Sequence, residues 1–286
     1  MTPPADPSRH RRKLRLALRR ARERAGLTQR EAAERLEWSQ SKVIRLETGT
    51  VGISVSDLRA LLTLYGVTGP AETAGLEEAA RGSKGPTWWS PYHDVLSPRF
   101  AQYLGYESAA ATLHTYHPIV VPGHLQTRAY ATALLAPRGL EPQRLERVVE
   151  LRMARQERMF AGGGGPAATF VLDESALRRR IGGSAVLAQQ LRQLLDLADR
   201  DDVTVRVLPF EAGAHYSTLG SFVLLGFADD DDLLYVEHAA GSMTGGENLE
   251  LLARYQECLG TIMELALGDA VSHDLISGAE RAIGAR

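Results

Sequence analysis

Cysteine is nearly absent from these 286 residues, and Cys258 stands alone, so no disulfide can form within the chain. Thiolate-rich metal frameworks are excluded with it, and a reducing cytosol is the expected compartment. Long apolar runs are missing as well. No stretch approaches the roughly 18 uninterrupted apolar residues of a membrane span. The basic segment "LRLALRRARERAG" breaks each apolar run with arginine, which argues against a signal peptide. The expectation is a soluble, cytoplasmic protein. Net charge is also scarce, at −2.

That small figure conceals a division. The 33 basic and 35 acidic side chains split 13 to 5 within residues 1–46 and 20 to 30 beyond. A basic head on an acidic body is the charge pattern of a nucleic-acid-binding head; the competing reading is a solvated arginine-rich helix. With 44% hydrophobic and 24% charged residues the chain is globular, and its length favours two domains. Only the N-terminal "MTPPADPSRH" has the composition of a disordered tail.

Within the head, Leu14, Leu18, Ala21 and Ala25 recur at helical spacing from about Ser8, and Gly26 stops the pattern. This first helix is expected to carry an arginine-covered outer face. Thr28 with Glu31 forms a capping box opening a short second helix. Ser39 caps a third, with Val43 and Leu46 inward and Gly49 placed to end it. Gln40, Ser41, Lys42, Ile44 and Arg45 then point away from the core. Ser56 and Asp57 start a fourth helix with Leu58, Leu61, Leu62 and Tyr65 on one face, and a fifth runs from Pro70 to Arg81.

The segment "LTQREAAERLEWSQSKVIRLETG" resembles the helix-turn-helix of the Cro and phage-repressor (Xre) type. The resemblance implies that the second helix of the pair enters the major groove while the first crosses the backbone. It assigns Gln29 to bracing the recognition helix and a phosphate, and Gln40 and Ser41 to base reading. Chemistry supports a wider set: a Gln amide pairs with an adenine edge, Lys42 and Arg45 reach guanine or phosphate, and Ser39 opens the helix. Ile44 either touches a thymine methyl or packs on the following loop. Arg12 and Arg19 are assigned to phosphate contacts that position without specifying. Glu47 is assigned to a structural pair with an arginine of the first helix. Glu37 occupies the turn position often held by glycine, which demands either a left-handed backbone or an altered turn.

The head is assigned to residues 1–82, and "RGSKGPTWW" marks a linker over 83–91. The body, 92–286, reads as α+β or α/β. Helices are expected near Pro98 to Leu104, Thr127 to Leu135, Pro142 to Phe160 and Ser184 to Ala198, with two more after about Glu247. Extended segments are "ATLHTYHPIVVP", "ATFVLD" after the glycine run "AGGGG", "VTVRVLPF", "SFVLLGF" and "DLLYVEH", the last two separated by an aspartate turn of Asp229 to Asp232.

The stretches "TYHPIVVPGHLQTRAYATALL", "RMARQER", "FVLDESALRRRIGG" and "VTVRVLPFEAGAHYSTLGSFVLLGF" resemble a domain of unknown function found behind Cro-type helix-turn-helix heads in actinobacterial regulators. That family is described as antitoxin-like, commonly encoded beside a small partner protein. The resemblance implies a DNA-binding regulator whose body receives a protein partner, and it assigns the body no chemistry.

The body's own residues support little else. His114, His117 and His124 have ligand chemistry, but i, i+3 residues of an extended segment face opposite sides, so no metal and no cofactor is expected. His215 with Glu211, Glu174 or Asp173 has acid–base chemistry without a nucleophile motif, and no enzyme activity is expected. Arg178, Arg179 and Arg180 before Gly182, Gly183 and a helix start at Ser184 form either a site for an anionic ligand or partner, or surface pairs with Asp173 or Glu174. Leu252, Leu259, Met263 and Ala266 line one face of a late helix, serving either a dimer seam or the body's own sheet. The expected function is a homodimeric regulator on an inverted-repeat DNA operator, binding a small protein partner through its body. The alternative is a one-component sensor of an anionic small molecule.

Overall fold

The computed structural model describes residues 7–47, 51–160, 165–215, 220–228, 230–236, 242–244 and 248–284. The chain divides into two units: Met1–His93 with Leu104–Ala109, and Asp94–Tyr103 with Ala110–Arg286.

The first unit is helical: α1 (Pro7–Arg24), α2 (Gln29–Arg35), α3 (Gln40–Glu47), α4 (Val55–Leu64) and α5 (Pro70–Gly82). Leu14, Leu18 and Ala21 bury the stripe of α1 that their spacing predicts, against Leu58, Leu61 and Leu62 of α4 and Leu76, Ala79 and Ala80 of α5. Proline at the first helical position is pre-shaped for a helix, so Pro7–His10 of the expected tail are helical, while residues 1–6 lie outside the described residues. Thr28 and Glu31 close the capping box reciprocally. The fourth helix begins earlier than expected: Ser54 caps it by accepting the Asp57 N–H at 3.0 Å, which puts Ser56 inside the first turn. Gly49, the expected stop of α3, lies outside the described residues.

Between α2 and α3 the chain turns on Glu37, whose φ of 56° is left-handed. The turn is closed by the Trp38 N–H donating to Ala33 O at 2.9 Å. Ala32 and Ala33, both buried, supply small side chains where α2 meets α3. Residues 83–91, expected as a linker, make close contacts within this unit. Ser83 is fully buried, Arg11 donates to Ser83 O and Gly85 O, and the Trp88 indole donates to Ser108.

The second unit is built on a mixed six-stranded sheet of order β3-β2-β1-β4-β5-β6, an α+β arrangement. Its strands are β1 (Thr112–His117), β2 (Ala167–Asp173), β3 (Val203–Leu208), β4 (Phe222–Phe227), β5 (Asp230–Val236) and β6 (Ser242–Thr244). Its helices are α6 (Pro98–Ala109, shared with the first unit), α7 (Arg128–Leu135), α8 (Pro142–Phe160), α9 (Glu174–Arg178), α10 (Ser184–Ala198), α11 (Leu249–Leu265) and α12 (Asp269–Gly284). β1, β2 and β3 are parallel, whereas β4 to β6 run antiparallel to their neighbours. Register follows burial: Thr115 sits opposite Phe170 and Val223, and Tyr116 opposite Val171 and Phe222. Gly226 is required at the β4 bulge, because a Cβ there would lie 2.3 Å from the Thr112 hydroxyl.

Most body elements lie where periodicity puts them, with four differences. α6 runs on to Ala109 through Gly105, whose helix cost of about 1 kcal/mol is not enough to end it. α9 and β6, of five and three residues, are too short to show a period. The aspartates expected as a turn open β5, although Asp229 lies outside the described residues. The Asp232 carboxylate accepts from Gln256 at 2.8 Å, so the charge is accommodated beside α11. Most of the glycine run before β2 and Glu247 also lie outside the described residues.

Candidate nucleic-acid interface

The third helix is short, and its polarity is one-sided. Gln40, Ser41, Ile44 and Arg45 are exposed, while Val43, Leu46 and Glu47 are buried. Ser39 stays exposed and caps the helix, accepting the Lys42 N–H at 3.3 Å. Arg45 folds along its own helix, Nε donating to Ser41 O at 3.3 Å. Ile44 retains 37% exposure.

The buried end of α3 is tied by one carboxylate. Glu47 accepts from Arg22 Nε on both oxygens, at 2.8 and 2.9 Å, from Gln29 Nε2 at 2.9 Å and from the Tyr65 hydroxyl at 3.2 Å. Helices α1, α2 and α4 thereby hold the C-terminal turn of α3 through charge-assisted bonds in a dry environment. The expected Glu47 pair with the first helix is therefore found, and Arg22 is its partner. Burial and the Glu47 charge both push the Tyr65 hydroxyl well above its ordinary range, which keeps it a donor. Gln29 braces α3 through Glu47.

Lys42 is placed differently from its neighbours. Its ammonium lies 2.8 Å from Asp57 Oδ1 of α4 and 3.5 Å from the centre of the Trp38 ring.

Arg12, expected at a phosphate, lies elsewhere in this structure: its side chain is buried and its guanidinium is 5.6 Å from the Tyr106 ring centre, within the unit. Arg15 packs over the same ring at 4.8 Å and donates to the Tyr106 hydroxyl. With Arg11 and Arg22 also bonded inward, α1 is not uniformly arginine-covered outside. Arg19 is exposed and paired with Glu23 at 2.9 Å. The missed signal lay in the spacing: Arg11, Arg15 and Arg22 share one flank of α1 beside the buried leucine stripe.

In the second unit the expected clusters are largely taken up by structure. Arg178 pairs with Glu174 at 2.7 Å, and Glu174 also accepts the Phe210 N–H at 3.3 Å. Arg179 and Arg180 are exposed ahead of Gly182 and Gly183, which have φ of 72° and 91°. Asp173 caps α9 through the Ser175 N–H, and Glu211 is exposed. His215 Nε2 lies 3.3 Å from the Tyr116 hydroxyl. Burial raises the Tyr116 hydroxyl above its ordinary range, and the Asp173 carboxylate adds to the shift. Burial lowers His114. His117 and His124 are buried, and among the described residues no three His, Cys, Asp or Glu side chains gather as a metal site. Leu252, Leu259, Met263 and Ala266 pack on the sheet with Tyr116, Phe222 and Leu234, which decides between the two readings of α11. Among the described residues no helix is long and apolar enough to cross a membrane.

Comparison with known families adds two matches. A helix-turn-helix domain matches residues 13–76, and a domain of unknown function, DUF5753, matches residues 100–278. No curated protein and no solved structure matches the chain.

Proposed function

The chain belongs to the DUF5753 family, and from that premise, with a helix-turn-helix head in front of the domain, we propose that it is a sequence-specific DNA-binding transcriptional regulator. The observation that carries the reading is the exposed face of α3, where Gln40, Ser41, Ile44 and Arg45 stand on a helix whose far side is held by Glu47. A reading helix needs this combination of exposed donors and a fixed angle, since each good bidentate base contact contributes about 1–3 kcal/mol of discrimination only when it is well aligned. Ser39 and Gln29 lie beside that face, and Arg19 contributes to the phosphate backbone by exchanging Glu23 for DNA. The arrangement is that of the Cro and phage-repressor type, with the DNA-binding head within 1–82 and the regulatory body within 92–286.

The protein acts in the cytoplasm as a homodimer on an inverted repeat, because two-fold symmetry places two recognition helices about one DNA turn apart. Its body, antitoxin-like in role, receives a small protein partner, and the partner changes DNA affinity only by preferring one state of the dimer. No catalytic step is assigned to it.

Fluorescence anisotropy tests the reading, using DNA from upstream of the gene and a scrambled duplex over a salt series. Wild type is expected to prefer the upstream DNA with two chains per duplex. Gln40→Ala/Arg45→Ala is expected to lose the preference and keep weak, salt-dependent binding. Equal binding of both duplexes by wild type overturns sequence reading, a single chain per duplex overturns the dimer, and an affinity unmoved by the neighbouring gene's product overturns the partner.

A further inference from the structure

The Lys42 ammonium of α3 is engaged by another helix. At about 100° per residue, Gln40, Ser41, Ile44 and Arg45 span an arc of about 140°, and Lys42 lies about 130° from its centre. Its ammonium is 2.8 Å from Asp57 Oδ1, and the Trp38 ring centre is 3.5 Å away. Two partners thus hold one charge, a carboxylate from α4 and an aromatic face from the turn before α3. Lys42 and Asp57 are about one-third exposed, at 34% and 29%, so the pair lies near the surface and its lysine would otherwise be free to swing. Asp57 is itself fixed by the cap of α4, where its N–H donates to Ser54.

We propose that Asp57 is a specificity-determining residue, which with Trp38 withdraws Lys42 from DNA so that sequence-independent attraction does not mask base reading by the exposed face. A free lysine on a recognition helix would reach any nearby phosphate. Such a contact strengthens binding to every sequence alike and lowers the ratio of operator to non-operator affinity. Held by Asp57 and Trp38, Lys42 instead joins α3 to α4 and acts as a positioning residue. This inference rests on the DNA-binding reading above, and it replaces the base or phosphate contact that the residue type alone suggested.

The test measures the slope of log K against log salt for the full chain on the scrambled duplex, with thermal melts confirming that each variant is folded. Each phosphate neutralised contributes about 0.9 to that slope. Lys42→Met is expected to leave the wild-type slope unchanged, because the lysine is not on DNA. Asp57→Asn keeps the backbone cap and releases the lysine, so its slope is expected to steepen by about 0.9. Over a fourfold rise in salt this is a further loss of about 3.5-fold in affinity. Lys42→Met/Asp57→Asn is expected to return to the wild-type slope. A fall of about 0.9 in Lys42→Met alone shows that Lys42 already neutralises a phosphate and overturns the inference. A double variant that keeps the steeper slope shows that the Asp57 charge acts by itself, and overturns it too. Failure of the DNA-binding reading is distinct: wild type would bind no duplex at any salt, and both proposals would fall together.

Discussion

Replacing Glu47 by Ala removes the acceptor on which three helices converge, and the cost follows from what is left behind. Arg22, whose side chain is only 11% exposed, keeps a bond to Leu27 O and a long pair with the exposed Glu23 at 3.9 Å, but loses its close, buried counter-charge. Removing one member of a buried ion pair costs about 3–5 kcal/mol. Gln29 and Tyr65 lose an acceptor as well, each worth about 1–3 kcal/mol if left dry. The three losses share one vacated space that water can enter, so they do not add, and about 4 kcal/mol is expected in total. That is a large part of the roughly 5–15 kcal/mol that stabilises a domain. Amide exchange read by mass spectrometry checks it region by region: peptides covering 40–47 should exchange about a thousandfold faster, while those covering 184–198 in the other unit should not change. Adding Arg22→Ala should recover about 2 kcal/mol by removing the stranded charge. Acceleration of less than about tenfold would place Glu47 with ordinary surface ion pairs and refute the argument that it fixes α3.

Two further outcomes follow from single residues. Glu37→Gly relieves a left-handed strain of about 1–2 kcal/mol and adds about 0.5–1 kcal/mol of backbone entropy cost, so the head should melt slightly later, by about 0.5–1 kcal/mol of stability; an earlier melt would mean that the Glu37 side chain contributes more than its backbone costs. His114 is lowered by burial, against a smaller opposing effect of Asp232, so the unfolded chain binds the proton more readily. Its contribution to stability is present above about pH 6.5 and declines as pH falls from there towards the folded value; melts of His114→Gln across that window should show a flatter pH dependence than wild type, and parallel curves would refute it.

Much of the architecture was legible because burial writes a period into the chain. Leu14, Leu18 and Ala21 announce α1, the Thr28–Glu31 box announces α2, and alternating strand residues separate the helices of the body. The face of α3 was legible for the same reason: Val43 and Leu46 had to go inward, which left Gln40, Ser41, Ile44 and Arg45 outside. What stayed hidden were contacts between residues far apart in sequence. Nothing local says that Lys42 meets Asp57, that Arg12 and Arg15 meet Tyr106, or that Arg22, Gln29 and Tyr65 share one carboxylate. Residue type placed Lys42 and Arg12 on DNA and the α1 arginines on an outer face; only the pairing of Glu47 with some arginine of α1 was expected, without saying which one. Strand order was hidden too, since alternation marks a strand without naming its neighbour.

The central position of β1 has a consequence for biosynthesis. Thr115 must wait for Val223, more than a hundred residues later, before its antiparallel neighbour exists. At about 5–20 residues per second this is roughly 5 to 20 s of elongation, during which a strand carrying fully buried Leu113 and Tyr116 has an open edge. The head needs no such wait, because every partner of Glu47 has been made by Tyr65. On the ribosome, the Glu47 tie of the helix-turn-helix head can therefore close while the sheet of the second unit is still unfinished.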